Sequence, residues 1–152
     1  MNKILADMHT HTIASGHAYA TLTEMCKEAA NKGLEIYGIT EHSSGIPGTC
    51  ADIYFQNLRV VPRDLFGLDL RLGAEINIID YNGTLDLDQK YIDRLDFVIA
   101  GIHSVCYKFG SKEENTAAII NAIKNPNVNI ISHPDDGRCP LDYEALVQAA
   151  KE

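Results

Sequence analysis

Ile4-Leu5-Ala6-Asp7-Met8-His9-Thr10-His11 is a short apolar run that ends in two imidazoles. The same figure recurs along the chain. Ile36-Tyr37-Gly38-Ile39-Thr40-Glu41 runs into His42, Phe97-Val98-Ile99-Ala100-Gly101-Ile102 into His103, and Val128-Asn129-Ile130-Ile131-Ser132 into His133. Leu70-Arg71-Leu72-Gly73-Ala74 ends instead on the carboxylate of Glu75, and His17 sits in the loop after the first run. Each run reads as a strand, and parallel α/β folds present their chemistry at the carboxyl ends of strands.

The segments between the runs carry helix signals. Thr21-Leu22-Thr23-Glu24 and Ser111-Lys112-Glu113-Glu114 both match a capping box. The first opens a helix with Leu22, Met25, Cys26, Ala29 and Ala30 on one face, stopped by Gly33; the second continues to about Lys124, before Asn125-Pro126. Residues 52–61 read as helical up to Pro62, a short helix is expected near 88–94, and a last one runs from Asp142 to Glu152. Strands are expected at 3–8 (a buried one), 35–41, 69–76, 95–102 and 128–132. Asn82-Gly83 suggests a hairpin turn within 77–87 that feeds a short extra strand. Strands alternating with helices give right-handed βαβ units around a parallel sheet, an α/β protein of one domain over residues 1–152. Five such units do not close a TIM-like barrel, which takes ~250 residues, so the barrel is expected to be incomplete, with its carboxyl-terminal strands absent.

Composition narrows the function classes. Hydrophobic content of 45% suits a soluble globular domain, and no apolar run approaches the ~18–20 residues that cross a bilayer. Met1-Asn2-Lys3 leads straight into the first strand without signal-peptide anatomy, so a cytoplasmic location is expected. Cys26, Cys50, Cys106 and Cys139 are widely spaced, lack a C-x-x-C pair and read as reduced thiols. Thirteen basic against 21 acidic residues give a net charge of −8, which argues against a nucleic-acid surface built from Lys/Arg stripes. That balance also repels an anionic substrate, unless bound divalent cations reverse the local field.

The histidines supply the means. His9-x-His11 places two imidazoles on one side of a strand end, able to grip one cation at ~2.0–2.1 Å per nitrogen if it is zinc. With His42, Glu75, His103 and His133 each ending its own strand, the pattern is that of a metal-dependent hydrolase. Glu75 is flanked by Ala74 and Ile76, is expected to be buried, and is of the type that bridges two cations ~3.5–4 Å apart. Asp7, two residues before His9, either orients an imidazole from behind or is a buried acid satisfied by backbone amides. Glu41 is expected to point away from the site.

Taken together, Asp7-Met8-His9-Thr10-His11-Thr12, Ser15-Gly16-His17-Ala18, Ile39-Thr40-Glu41-His42, Gly73-Ala74-Glu75-Ile76-Asn77, Ala100-Gly101-Ile102-His103 and Ile131-Ser132-His133-Pro134 resemble the PHP (polymerase and histidinol phosphatase) family. Within it the chain looks most like the bacterial YcdX-type phosphoesterases. The resemblance implies a distorted (β/α)7 barrel with up to three metals, zinc, manganese or iron, at its carboxyl rim. It implies that His9, His11 and Glu75 hold the first metal, that Glu75, His103 and His133 hold the second with Glu75 bridging, and that His17 and His42 hold the third. The family's late Asp-x-His motif, which completes the first and third sites, has no match here.

The expected reaction is hydrolysis of a small phosphomonoester by metal-activated water, its pKa lowered towards ~7, attacking phosphorus in line. No Ser or Cys nucleophile with a partner base is visible, which fits direct attack by water. Arg138 and Lys108 are candidate phosphate clamps. Two rivals stand beside this reading. One is a catalytically impaired metal-binding fragment completed by another chain, either a homo-oligomer partner or a separate carboxyl-terminal piece, through unpaired sheet edges. The other is an amidohydrolase, disfavoured because those barrels bridge with a carboxylated Lys where this chain has Glu75.

Overall fold

The longest strand, β3 (Asp69–Asn77), is the spine of the molecule: seven of its nine residues are buried. β2 (Ile36–His42) pairs along one side of it, from Ile36 opposite Asp69 to His42 opposite Glu75. β4 (Val98–Gly101) pairs along the other side, with Ala74 opposite Val98 and Glu75 opposite Ile99. β1 (Ala6–Asp7) and β5 (Ile130–Ile131) form the two edges, so the sheet order is β1-β2-β3-β4-β5 and every pairing is parallel. The structure, a computed structural model, describes residues 3–151. Within them the five strands form a curled half-barrel, the α/β, incomplete TIM-like architecture that the strand–helix alternation predicts.

Parallel neighbours need crossover connections, and helices α1 (Leu22–Asn31), α2 (Ile53–Asn57), α3 (Gln89–Ile92) and α4 (Lys112–Ile123) lie in them, with α5 (Tyr143–Ala149) after β5. Both capping boxes form. The Thr21 and Ser111 hydroxyls accept the backbone N–H groups of Glu24 and Glu114, and each glutamate reaches back to the cap residue's own N–H. Gly33, at φ 77°, turns the chain out of α1 in the left-handed conformation that a Cβ disfavours.

Two apolar clusters fill the space between sheet and helices. Cys26 and Ala29 of α1 and Phe55 of α2 pack on Tyr37, Ile39, Leu70 and Leu72. Ala118, Ile119 and Ala122 of α4 and Leu146 of α5 pack on Ile78, Ala100 and Tyr107. Leu70, Leu72 and Ile76 are fully buried, each worth roughly 1.5–3 kcal/mol of transfer free energy.

Three expectations change. The buried strand at 3–8 shrinks to two exposed residues, because β1 is an edge paired only with β2. The strands expected at 95–102 and 128–132 contract to four and two residues. The extra strand after Asn82-Gly83 is a single antiparallel bridge between Ile78 and Leu85, although Gly83 does turn the chain at φ 77°. The reading of the start falls partly on Met1 and Asn2, and that of the last helix on Glu152, which lie outside the described residues. All four cysteines are free thiols, as read. No helix among the described residues is long and apolar enough to cross a membrane.

Candidate metal centre

The half-barrel gathers the six histidines and Glu75 at the carboxyl ends of its strands. Glu75 lies inside β3, two residues before its end, with its side chain 1% exposed. Its Oε2 is 3.0 Å from His9 Nε2, 3.2 Å from His11 Nε2 and 3.2 Å from His42 Nδ1. Its Oε1 is 3.3 Å from His103 Nε2 and 2.9 Å from His133 Nε2. One buried carboxylate is therefore ringed by imidazoles delivered by four other strands. His17 comes in on the loop after β1, its ring centroid 5.1 Å from that of His11 and 4.9 Å from that of His42.

Local structure explains the placement. Side chains two apart share a face, so Thr10, between His9 and His11, turns the other way and ties this segment to β2. Its hydroxyl donates to Gly38 O at 2.6 Å, and its carbonyl accepts the N–H of Thr40 at 2.8 Å. His42 ends β2 directly opposite Glu75. His103 and His133 each lie two residues past the ends of β4 and β5. His133 has φ 26°, a strained backbone for a residue with a side chain, and such strain gathers at functional sites.

Proton inventory shows which nitrogens are free. Asn77 donates its amide N–H groups to Ser43 Oγ at 2.9 Å and Asp86 Oδ2 at 2.6 Å, leaving its Oδ1 to face His103 Nδ1 at 2.7 Å. His103 Nδ1 must then donate, and its Nε2 lone pair points at the Glu75 carboxylate. Ser15 Oγ gives its one hydrogen to Glu41 Oε2 at 2.5 Å and so accepts from His11 Nδ1 at 3.1 Å, which leaves the His11 Nε2 lone pair facing both Glu75 Oε2 and, at 3.2 Å, His9 Nε2. Lone pairs turned on a buried carboxylate repel it unless positive charge is shared among them.

The donor set fits a divalent cation. Nitrogen and carboxylate ligands held ~2.0–2.1 Å from a tetrahedral zinc stand roughly 3.3 Å from each other, and the separations around Glu75 are 2.9–3.3 Å. His42 Nδ1 lacks hydrogen-bond geometry to Glu75 and is a buried nitrogen with no hydrogen-bond partner among the described residues. Among the described residues, three trios have ligand atoms within 4.8 Å of one another: His9, His11 and Glu75; His11, His17 and His42; and His42, Glu75 and His103. The first is the trio expected for the first metal, and the second contains the pair expected for the third. In the last trio His42 takes the place expected of His133.

Charges in the centre are strongly coupled. Burial opposes ionisation of Glu75, but the polar contacts with His103, His11, His133 and His9 outweigh it and hold the carboxyl far below its usual range. Burial pushes His42 down to about 3, against the pull of Glu75, so its ring is neutral at neutral pH. The hydrogen bond to Glu75 raises His133.

Beside the centre opens a cavity of about 450 Å³, walled by His42, His103, His133, Ile46, Val105 and Arg138 among others. Arg138 is held there by Asp136, with Nε at 3.0 Å and Nη2 at 2.7 Å from its two carboxylate oxygens. Lys108 is exposed and is not among the residues that line this cavity. Asp7, read either as orienting an imidazole or as a buried acid satisfied by backbone amides, does accept a backbone amide but is not buried. Its Oδ1 accepts the backbone N–H of His9 at 3.3 Å, and no imidazole ring hydrogen-bonds it among the described residues. Glu41, expected to point away, is fully buried and bonded to Thr12 and Ser15. The Asn77–Ser43–Asp86 group was not read from sequence either. Its one signal is Asn77 standing two residues after Glu75, on the same strand face.

Comparison with known proteins gives these residues a context. A family model described as "PHP domain" matches residues 7–150. A probable phosphatase of Acetivibrio thermocellus is 49% identical over 150 residues, covering 99% of this chain and 62% of that protein. One of Caldicellulosiruptor saccharolyticus is 51% identical over 146 residues, covering 96% of this chain and 61% of that protein. The chain thus spans about three fifths of the length of these curated relatives. Among solved structures, histidinol phosphate phosphatase from Lactococcus lactis subsp. lactis, in complex with zinc, L-histidinol and phosphate, superposes with a TM-score of 0.53 at 22% identity, covering 86% of this chain and 58% of that one. That likeness is one of fold.

Proposed function

The chain belongs to the PHP domain family, and from that premise we propose that it is the metal-binding part of a phosphatase-type hydrolase acting on a small phosphomonoester. The observation that carries the reading is Glu75, a buried carboxylate with five imidazole nitrogens within 3.3 Å of its two oxygens. Relatives at 49% and 51% identity that are named probable phosphatases support the reaction class.

His9, His11 and Glu75 would hold one divalent cation, and His103 and His133, with Glu75 as the bridge, a second. His17 and His42 would hold a third. Zinc suits this imidazole-rich donor set, with manganese or iron as the other candidates. Bound cations supply Lewis-acid chemistry, lowering the pKa of water towards ~7 and neutralising charge that develops on phosphate oxygens.

The chain's own groups do the rest. Glu75 Oε1 and Oε2 face different imidazoles, so one side chain would help to hold two cations while its charge would offset part of theirs. The tautomers fixed by Asn77 and Ser15 present lone pairs without a reorganisation step. The cavity walled by His103, His133 and Arg138 admits a phosphate beside the cluster, and Ile46 and Val105 give its leaving group an apolar surface. Arg138 clamps the phosphate by exchanging Asp136 for it, since the guanidinium fork suits either partner. Lys108 has no part in this arrangement.

The test is turnover of a generic aryl phosphate by metal-stripped protein, with and without added zinc or manganese, in wild type and Glu75→Gln. Wild-type turnover is expected to depend on added metal and to fall by more than ~100-fold in Glu75→Gln, beyond the 10–100-fold typical of groups behind the ligands. Equal metal-dependent turnover in both proteins overturns the proposal.

A further inference from the structure

Glu41 precedes His42, the last residue of β2, but alternation along the strand sends its side chain to the other side, where it is 0% exposed. A buried carboxylate needs donors, and the segment after β1 provides three. Thr12 N–H reaches Glu41 Oε2 at 3.1 Å, Thr12 Oγ reaches Oε1 at 2.5 Å, and Ser15 Oγ reaches Oε2 at 2.5 Å. No Lys, Arg or His forms an ion pair with Glu41 among the described residues. Structural satisfaction explains the two Thr12 bonds. The Ser15 bond leads elsewhere.

Ser15, itself 1% exposed, has one hydrogen and two lone pairs to distribute among three neighbours. The carboxylate can only accept, so the hydrogen goes to Glu41. The N–H of His42 can only donate, and at 3.1 Å it takes one lone pair. The remaining lone pair faces His11 Nδ1 at 3.1 Å, and that contact is a hydrogen bond only if Nδ1 carries the proton. With Nδ1 protonated, a neutral His11 ring leaves Nε2 bare, and Nε2 is the atom that faces Glu75 and His9.

We propose that Glu41 is a positioning residue that acts through Ser15 to lock His11 in its Nδ1–H tautomer, reserving the Nε2 lone pair for a cation. The inference rests on the reading of His11 as a metal ligand. It assigns a role to a carboxylate that touches no ligand atom. Without the carboxylate, the Ser15 hydrogen is free to turn towards His11 Nδ1, which selects the tautomer whose Nε2–H blocks binding. The same hydroxyl holds the backbone of His42, so one relay sets two imidazoles.

The test uses the metal-stripped protein, labelled with ¹⁵N at histidine, in wild type, Ser15→Ala, Ser15→Thr, Glu41→Ala and the Ser15→Ala/Glu41→Ala double variant. Two-bond ¹H–¹⁵N spectra report each ring's tautomer, with His11→Gln assigning the His11 signals, and competition against a chromophoric chelator gives zinc affinity. The wild type and Ser15→Thr are expected to show His11 protonated at Nδ1. Ser15→Ala and Glu41→Ala are expected to shift it towards Nε2–H and to weaken zinc binding about 10–100-fold. The double variant is expected to lose no more than the weaker-binding single one, because either change breaks the same relay. Should Glu41→Ala not fold, Ser15→Ala and its rescue by Ser15→Thr decide the matter. An Nε2–H tautomer in the wild type, unchanged spectra and affinity in Ser15→Ala, or additive losses overturn the relay. A wild type that takes up no zinc overturns the metal reading instead, and the spectra of the metal-free protein do not depend on that reading.

Discussion

Gly38→Ala joins the barrel's geometry to its metal chemistry in one methyl group. Gly38 is buried in β2 where the segment just after β1 runs against it, and a Cβ there would lie 2.8 Å from both Met8 Cα and Met8 O and 2.9 Å from Met8 C. Carbon atoms rest at ~3.5–4.0 Å, so Met8 would have to recede by about 0.7 Å, and all three obstructing atoms are backbone. The displacement cannot stay local. Met8 precedes His9, and Thr10 ties the segment to β2 through Gly38 O itself. Metal ligands tolerate errors of only about 0.2 Å, so His9 and His11 move out of register with Glu75. We expect a loss of roughly 1–3 kcal/mol from overpacking, at about 2–4 °C of melting temperature per kcal/mol for a domain of this size. Zinc affinity should fall by on the order of tenfold or more, as when ligands lose their support. The assays are thermal unfolding of metal-stripped protein and zinc titration against a chelator. Gly137→Ala is the control, because a Cβ there has nothing within 4 Å, and it should change stability by less than about 0.5 kcal/mol. A Gly38→Ala protein that melts and binds zinc like wild type would refute the argument.

Two further outcomes follow from named groups. Asn77→Leu removes the acceptor of His103 Nδ1 and the donors to Ser43 and Asp86, so metal-stripped protein should lose about 1–3 kcal/mol in urea unfolding and zinc affinity should drop about 10–100-fold; unchanged affinity would mean that His103 needs no such anchor. Burial holds His42 at about 3 in the fold against 6.5 in the unfolded chain, so between those values the unfolded state takes up a proton that the fold refuses. Metal-stripped protein should therefore be fully supported by this group above that window and lose stability as pH falls through it, and melting curves of His42→Asn should show a flatter pH profile; a profile identical to wild type would remove His42 as the cause.

The sequence carried the parts of the fold that are local. Both capping boxes are four-residue patterns, and they form as read at Thr21 and Ser111 because their hydrogen bonds join neighbours in the chain. The histidines were legible because a strand's end fixes where the next side chain goes, and five strand ends point to one rim. Strand length was less legible. β1 and β5 keep two residues each because they are edges with a partner on one side only, which an apolar run does not reveal. The supporting groups were harder still. Glu41 finds Thr12 and Ser15 at sequence separations of 29 and 26, and Asn77 finds Ser43 at 34, so those partnerships exist only once the sheet has curled. Alternation alone put Glu41 on the far side of β2 from His42, which is where it lies. What alternation could not show is that the far side holds the loop from which His11 is steered.

Metal content is the most direct measure of the central claim. Wild-type protein equilibrated with zinc or manganese, freed of excess by gel filtration and analysed by elemental mass spectrometry, should hold at least two ions per chain, and Glu75→Gln should hold fewer. A wild type that emerges with none, or a Glu75→Gln variant that retains the wild-type content, would contradict the picture of imidazoles gathered around one bridging carboxylate.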